Sequence, residues 1–344
     1  MPGYPLVSVV VVNWNGQQVI PGCLASLAGQ IFPDFEVIVV DNGSTDGSIA
    51  LLESSSLPIR LILNIENKGF CGANNQGIEA AQGKYVALLN NDAEAEPGWL
   101  AALVAAIGET AGAPCGMVAS KILLFDDRRR IDKVGHLIYP DGQNRGRGLG
   151  EIDAGQYEEL EETLWPDGCA ALYSADMLRQ IGGFDEDFFA YADDAELGLR
   201  GRIAGWRALY APKAVVYHRG GSTLGRYSPR RLFLIERNRI WLVAKLFPLR
   251  LWPLTPYYFV RRVIATAFAH TSGQGEAFAA TRQMGAWALI QCITKANAAA
   301  LLGLPRMIRK RSQINEFRKL NGAEIHSLLE HYRIPLDDLA RKSV

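Results

Sequence analysis

Three apolar runs near the start of the chain each end in an amide or a carboxylate side chain, and this repetition limits the folds that the chain can adopt. The runs and the polar residues after them are residues 7–12 before Asn13, residues 37–40 before Asp41, and residues 85–89 before Asn90, Asn91 and Asp92. Apolar runs of this length predict buried strands. Strands that alternate with helices predict an α/β fold with a parallel sheet. The carboxyl ends of such strands share one edge, where open α/β sheets bind ligands.

The rest of the chain continues this pattern less regularly. It predicts helices at about 17–29, 45–54, 72–82 and 97–108, strands at 59–64, 117–125, 131–139, 165–174 and 206–218, and two further helices at 175–182 and from Asp193 to about Ala204. Ser44 or Thr45 is predicted to cap the second helix, and Pro97 to begin the fourth. The Gly-rich and then acidic residues 144–164 predict a mobile loop.

Charge divides the chain of 344 residues into two parts. Residues 1–225 contain 16 Lys and Arg against 29 Asp and Glu, a net charge of −13, whereas residues 226–344 contain 20 against 7, a net charge of +13. We predict one large domain over 1–225 and a basic, helical extension over 226–344. A basic tail suggests an anionic partner, which could be a membrane surface, a phosphorylated acceptor or nucleic acid.

Aromatic and basic residues of the extension favour a membrane surface over nucleic acid. They lie in residues 252–262 and 284–311, where the second stretch ends in Arg306, Arg309, Lys310 and Arg311. Apolar segments edged with Arg are typical of helices that lie in the membrane interface. The alternative is a helical subdomain that packs on the rest of the protein with a solvated basic face.

Cysteine use and hydropathy predict a cytoplasmic protein, peripheral on the inner face of the cell membrane. The five cysteines contain no Cys-x-x-Cys pair, which argues for a reducing compartment and against a structural zinc site. Residues 1–33 carry no charged side chain, so the basic region of a secretory signal is missing. The longest charge-free apolar runs, 263–275 and 283–294, are shorter than the roughly 20 residues that span a bilayer.

Asp92 is a candidate metal ligand because it ends a predicted strand. A single carboxylate there suits Mg²⁺ or Mn²⁺ that carries substrate phosphates, since such ions keep waters and take few protein ligands. The alternative is an ordinary turn, which Asn and Asp favour. No Gly-x-Gly-x-x-Gly follows the first strand and no Walker loop is present, which disfavours a dinucleotide dehydrogenase and a P-loop ATPase.

Asp193 and Asp194 stand together at the predicted start of a helix. The helix dipole favours the ionised carboxylate there, which is the form that a general base needs. The alternative is that both residues only cap the helix. The aromatic residues at 188–191 could form an apolar wall for a sugar ring, or they could belong to the core.

Six segments in this order resemble glycosyltransferase family 2, the inverting transferases, and within it the bacterial rhamnosyltransferase-like branch. The segments are residues 8–15, 41–46, 67–77, 88–92, 182–186 and 193–196. Two positions depart from the family pattern. Asn90 replaces the first Asp of the usual D-x-D, and Asp193 replaces the Glu of the usual Glu-Asp pair.

The resemblance implies a GT-A fold, that is, a Rossmann-like, mostly parallel mixed sheet with helices on both faces, followed by the α-helical extension. It implies a nucleotide-sugar half at about 1–115 and an acceptor half at about 116–225. The roles implied for individual residues are donor binding by Asn13, Asp41, Asn75, Asn90 and Asn91, metal binding by Asp92 and His218, and base catalysis by Asp194 with Asp193 beside it. His218 could instead be an ordinary hydrogen-bonded histidine at a strand end.

The implied reaction is inverting transfer of a sugar from a nucleotide-diphosphate donor, dTDP-rhamnose or a UDP-sugar. The acceptor is a hydroxyl of a saccharide or of a polyprenyl-diphosphate-linked saccharide, with Mg²⁺ or Mn²⁺ as cofactor, in bacterial cell-surface polysaccharide synthesis. One alternative is a nucleotidyltransferase on a related fold, which the lack of an early Gly-rich, basic triphosphate loop disfavours. Another is a non-catalytic adaptor with a basic tail, which Asp92 and Asp194 argue against. No nucleic-acid partner is expected.

Overall fold

The structure, a computed structural model, describes residues 3–108, 112–220, 225, 228–273 and 275–341. The predicted domain boundary between residues 225 and 226 lies next to residues 221–224, 226 and 227, which are outside the described residues. The part of the chain before residue 221 is called the sheet domain below. The part from Pro229 onward is called the extension.

The elements alternate along the first hundred residues as the sequence predicts. The strands are β1 Val7–Asn13, β2 Phe35–Asp41, β3 Ile59–Leu63, β4 Tyr85–Leu89, β5 Ala93–Ala95, β6 Cys115–Leu124, β7 Ile131–Lys133, β8 His136–Ile138, β9 Asn144–Gly146, β10 Glu161–Glu162, β11 Ala170–Ser174 and β12 Arg207–His218. The helices are α1 Ile20–Ala28, α2 Ser48–Glu53, α3 Gly69–Ala80, α4 Trp99–Ile107, α5 Ala175–Ile181, α6 Asp193–Ile203, α7 Pro229–Leu246, α8 Thr255–Thr271, α9 Gly275–Met284, α10 Ala286–Ile314, α11 Gly322–His331 and α12 Leu336–Arg341.

One mixed sheet organises the sheet domain. Its strand order is β10-β12-β6-β11-β4-β1-β2-β3, with β5 beside β12 and β7 beside β6. β3, β2, β1 and β4 run parallel, and β12 runs parallel to β6. β11 lies between β4 and β6 and is antiparallel to both. The predicted α/β sheet is confirmed.

Helices cover both faces of this sheet, and the valine run of β1 contributes to both cores. Successive side chains of a strand point to opposite faces. Val7, Val9 and Val11 therefore pack with α1 and α4, whereas Val10 packs in the core that holds Trp165 and residues of α6 and α7. A strand buried on both faces needs no polar alternation, which explains its uninterrupted apolar sequence.

Several boundaries differ from the prediction for local reasons. The predicted strand 131–139 is divided into β7 and β8 at Gly135, whose φ of +89° is outside the strand region. The predicted cap of α2 by Ser44 or Thr45 is wrong, because the helix begins only at Ser48 and its N-cap is Gly47. The predicted loop 144–164 contains β9 and β10.

Buried ion pairs join the extension to the sheet domain. Lys245 on α7 lies 2.6 Å from Asp185 and 2.7 Å from Glu196. Lys310 on α10 pairs with Asp185 and lies 2.7 Å from Asp187. Burial alone would raise the pKa of Asp185, but Lys245 and Lys310 lower it to about 2. Removing one partner of a buried pair typically costs about 3–5 kcal/mol, so these contacts hold the two parts together.

The basic cluster at 306–311 is directed largely toward the protein. Arg306 lies 2.9 Å from Asp187, and Lys310 pairs with the same carboxylate. Arg311 donates to the backbone carbonyl of Phe247 at 2.7 Å. Part of the charge difference between the two halves of the sequence is therefore neutralised inside the molecule.

The extension carries most of the exposed apolar surface that the structure describes. Of the 19 large apolar residues that are exposed, 12 lie at or beyond Leu249. α10 is long and apolar enough to cross a membrane by length and composition, although one such helix is weak evidence by itself. The charge-free run 283–294 is shorter than this helix because Lys295 interrupts the apolar stretch.

Candidate functional site

The ends of β1, β2 and β4 meet in a buried hydrogen-bond network. The Asn13 amide donates to Asp41 at 2.8 Å and accepts from the Asn91 amide at 2.9 Å. The second Asp41 oxygen accepts from the Ser44 backbone N–H at 2.9 Å. A Cβ at Gly16 would lie 2.2 Å from the side-chain oxygen Oδ1 of Asn13, so only glycine leaves room for this network. The predicted donor residues Asn13, Asp41 and Asn91 are thus brought together.

Asn75 lies apart from these residues. Its amide donates to the Phe184 carbonyl at 2.9 Å and to Glu186 at 3.0 Å, and its oxygen accepts from the Phe184 N–H at 2.8 Å. These bonds tie α3 to the segment before α6. Its predicted donor contact stays a prediction, while its observed contacts are with the protein.

A cavity of about 460 Å³ opens beside the strand ends. Its size falls in the usual range for small-molecule sites. The predicted site residues that line it are Asn90, Asn91, Asp92, Asp193, Asp194 and His218. Asn13, Asp41 and Asn75 are not among the described residues that line it.

Asp92 and His218 face each other at one end of this cavity. His218 Nε2 lies 3.4 Å from Asp92 Oδ1, and His218 Nδ1 lies 2.7 Å from Asp132 Oδ2. Burial would lower the pKa of His218, but the Cys169 sulfur, Asp132 and Asp92 raise it well above its usual value. The surroundings of His218 therefore favour positive charge.

Asp193 and Asp194 begin α6, and their surroundings differ. Burial, followed by the Asp194 carboxylate, raises the pKa of Asp193 well above its usual range. Burial also raises the pKa of Asp194, whereas the neighbouring His136 lowers it. Asp194 Oδ1 accepts from the Ala195 N–H at 2.7 Å. Of the pair, Asp194 is the carboxylate that ionises more readily.

Three cavity residues that the sequence analysis did not single out lie beside Asp194. His136 Nε2 is 2.9 Å from Asp167 Oδ2 and 3.4 Å from Asp194 Oδ2. Lys133 Nζ is 2.9 Å from Asp167 Oδ2. His136, Asp167 and Asp194 are close enough to hold a metal ion. Because Lys133 already supplies positive charge to Asp167, the arrangement favours a hydrogen-bonded cluster over a bound metal ion. No sequence motif marks these residues, because Lys133 and His136 belong to the β7–β8 segment whereas Asp167 lies in the loop before β11.

The extension contributes directly to the cavity. Arg230, Arg231 and Arg239 of α7 line it, together with Phe189 and Tyr191 of the loop before α6. Phe188 is fully buried in the core. The aromatic segment before α6 therefore does both things that the sequence left open: it adds to the core and it forms part of the cavity wall.

The family model for glycosyl transferase family 2 matches residues 8–182. The chain belongs to this family. An N-acetylglucosaminyl-diphospho-decaprenol L-rhamnosyltransferase of Mycobacterium tuberculosis is 27% identical over 279 residues, which cover 72% of this chain and 89% of that protein. The chain spans only 26% and 33% of the length of two other bacterial relatives.

Solved structures show the fold of this chain. The mannosyltransferase PcManGT from Pyrobaculum calidifontis, solved with GDP-Man and Mn²⁺, is similar with a TM-score of 0.52 at 20% identity over 92% of this chain and 86% of that chain. S. aureus TarS 1–349, solved with UDP-GlcNAc, has a TM-score of 0.53 at 18% identity over 95% and 91%. The predicted GT-A fold is confirmed.

The loop before the Asp193-Asp194 pair depends on one side chain of the extension. Phe189, Tyr191 and Ala192 all have positive φ, between 57° and 67°. The buried Asn238 amide on α7 donates to the backbone carbonyls of Phe188, Ala190 and Tyr191 at 2.7–2.9 Å. Backbone held in this region costs about 1–3 kcal/mol per residue and persists only when its surroundings enforce it.

We therefore expect Asn238→Ala to lower turnover and destabilise the protein by about 1–3 kcal/mol, because it removes the donor to the partly buried carbonyls of Ala190 and Tyr191 and frees the loop before Asp194. Steady-state kinetics and thermal unfolding measure the two effects. Asn321→Ala is the matched control, since Asn321 caps α11 and its loss should cost about 1 kcal/mol of stability with unchanged turnover. Equal turnover in both variants would contradict the role of Asn238.

Proposed function

We propose that this glycosyltransferase transfers a sugar, with inversion, from a nucleotide-diphosphate donor to a hydroxyl of a lipid-diphosphate-linked saccharide. dTDP-rhamnose and UDP-sugars are the candidate donors, and bacterial cell-surface polysaccharide synthesis is the proposed setting. One observation carries the proposal. A carboxylate–histidine pair, Asp92 and His218, and a separate carboxylate with a raised pKa, Asp194, line the same cavity.

The donor end of the cavity fits a divalent cation. Asp92 offers a carboxylate and His218 offers Nε2, while Asp132 holds the other ring nitrogen. A carboxylate that orients a histidine in this way is common at metal sites. Mg²⁺ or Mn²⁺ bound there would neutralise charge on the diphosphate leaving group. We assign Asn90 and Asn91 to donor binding beside it, and Asn13 and Asp41 to holding these residues in place.

The acceptor end supplies the base. Asp194 takes the proton from the acceptor hydroxyl as the oxygen forms its bond to the anomeric carbon. The bond from that carbon to the phosphate oxygen breaks in the same step, and the nucleoside diphosphate leaves. A single displacement inverts the anomeric centre and needs no nucleophilic carboxylate on the enzyme.

Two observations support a lipid-diphosphate acceptor. The M. tuberculosis relative is named for a diphospho-decaprenol substrate. In this chain, Arg219, Arg230 and Arg231 line the cavity, where guanidinium groups suit a diphosphate. Arg230 and Arg231 belong to α7 of the extension, whose later helices carry exposed apolar side chains that suit a lipid tail.

We also propose that the enzyme lies on the inner face of the cell membrane. Tyr257, Val260, Ile264 and Phe268 of α8 are exposed and recur at helical spacing. Basic side chains at Arg282, Lys295 and Arg309 are exposed nearby in sequence. An apolar face with basic residues around it is typical of helices that lie in the membrane interface.

The metal assignment is tested by Asp92→Ala. Loss of a ligand should weaken Mn²⁺-dependent binding of UDP or dTDP by more than about tenfold, since even outer-shell partners of metal ligands contribute that much. Isothermal titration calorimetry with Mn²⁺ and with EDTA measures the effect. Asp176→Ala, at an exposed site on α5, should bind like the unaltered protein. Unchanged metal dependence in Asp92→Ala would show that the cation binds elsewhere.

The base assignment is tested by Asp194→Asn, which keeps the shape and removes the proton acceptor. Turnover should fall at least roughly 100-fold, with nucleotide affinity nearly unchanged. Because the pKa of Asp194 is raised, turnover of the unaltered enzyme should fall as the pH drops through a value above the ordinary 3.8. If Asp193→Asn abolishes activity and Asp194→Asn is mild, Asp193 is the base.

Membrane association is tested by vesicle co-sedimentation. The protein should bind vesicles that contain anionic lipid better than neutral vesicles, and salt should weaken the binding because exposed charges are screened over about 10 Å at 0.1 M. Phe268→Ser with Leu302→Ser should weaken it at least about tenfold, since each buried apolar side chain contributes about 1.5–3 kcal/mol. Ile31→Ser with Ile65→Ser is the control, at exposed sites of the sheet domain. Failure to bind at low salt would leave the extension as a packed helical subdomain.

A further inference from the structure

We propose that His136, held by Asp167, is a positioning residue that aims and keeps ionised the carboxylate of Asp194. This inference rests on the proposed role of Asp194 as the acceptor base. It adds a chain of three side chains, Asp167–His136–Asp194, to the site.

The geometry gives His136 Nε2 a place between two carboxylates. Its distances are 2.9 Å to Asp167 and 3.4 Å to Asp194. Asp167 is fixed in turn, because its Oδ1 accepts from the Cys169 backbone N–H at 2.9 Å and its Oδ2 pairs with Lys133. A nitrogen that faces two carboxylates carries a hydrogen, so His136 donates to Asp167 and its N–H lies 3.4 Å from Asp194 Oδ2.

The opposite side of the His136 ring supports the same tautomer. His136 is 4% exposed, and no described residue gives its Nδ1 a hydrogen-bond partner. A protonated Nδ1 buried without an acceptor would be costly. The ring also stacks on the buried Trp165, with centroids 5.9 Å apart and planes at 22°. The stacking on Trp165 and the contact of Nε2 with Asp167 therefore hold the ring plane and the direction of the Nε2–H bond.

Charged and titratable groups from several elements face Asp194, and together they decide how readily it ionises. They are Lys133 and His136 from the β7–β8 segment, Asp167 from the loop before β11, Tyr173 from β11, and Asp193 from α6 itself. Lys133 and His136 favour the ionised carboxylate, whereas Asp167 opposes it. The His136 Nε2 atom, 3.4 Å from Asp194 Oδ2, offsets that opposition at the oxygen nearest the histidine.

Lys133 also extends the chain toward the donor end of the cavity. Its Nζ is 2.9 Å from Asp167 and 3.8 Å from Asp132, the residue that holds His218. One cation thus lies between the carboxylate partners of both histidines. This arrangement supports one hydrogen-bonded network that connects the Asp92 and Asp194 parts of the site. The alternative is that His136 binds a metal ion, and the experiment must distinguish the two.

Two substitutions separate the role of the His136 N–H donor from the role of its ring. His136→Gln keeps an N–H donor and loses the ring, whereas His136→Phe keeps a ring against Trp165 and loses the donor. We expect His136→Phe to lower kcat about 10- to 100-fold, the scale of effect for a misplaced catalytic group, with the donor KM unchanged. His136→Gln should retain most of the activity. The assay uses whichever nucleotide sugar the unaltered full-length enzyme turns over, and UDP or dTDP with Mn²⁺ for binding.

The pH profile gives a readout that loss of packing would not change. Removing the donor raises the pKa of Asp194, so the acidic limb of kcat should move to higher pH in His136→Phe. Asp167→Asn removes a neighbouring negative charge and should move the limb to lower pH. The reverse order, with an active Phe variant and an inactive Gln variant, would overturn the inference. So would an unmoved acidic limb when both variants are impaired, or normal kinetics in both.

Two further measurements separate the alternatives. Mn²⁺ bound per protein, measured by electron paramagnetic resonance, should be the same in His136→Phe as in the unaltered enzyme, and loss of one bound ion would replace the positioning role with a metal site. Asp194→Asn separates this inference from the proposed function. If Asp194→Asn is active, the base assignment fails. If Asp194→Asn is inactive and His136→Phe is normal, only the role of His136 fails.

Discussion

The site depends on the parallel, in-register pairing of β1 with β2 and β4. This register places Asn13 opposite Asp41, and the Asn13 amide then joins Asp41 to Asn91. A slip of one residue would turn each of these side chains to the other face of the sheet. The packing that buries valines on both faces therefore also holds the polar strand ends in one place. Asp92 takes its position at the cavity from this arrangement.

The part of the cavity around Asp194 depends on the extension. α7 holds the loop that leads to Asp194 through Asn238, and its arginines line the cavity beside that loop. Lys245 links the same helix to Asp185 and Glu196 in the buried region behind the loop. Net charge divides the sequence into a large domain and an extension, but side chains from both parts line the cavity. Opposite charges of the two parts attract each other at the interface.

The sequence predicted the strand ends and the start of α6 well because each depends on residues close together in the chain. Asp92 and Asp194 lie in such local patterns, and both line the cavity. Asn75 also lies in a local pattern, but its side chain is occupied by Phe184, more than a hundred residues away. The partners of the basic cluster at 306–311 were missed for the same reason: nothing near it in sequence reveals Asp185 and Asp187.

By itself the sequence determined the alternation of strands and helices, the polar residues at the strand ends, and the family. These properties follow from hydrophobic periodicity and from ordered motifs, which are written along the chain. Tertiary structure alone decided that His136 and Asp167 lie beside Asp194, that Asp132 holds His218, and that the extension completes the cavity. The physical reason is that distances between side chains far apart in the sequence are set by how the sheet and helices pack, and short sequence patterns do not record such distances.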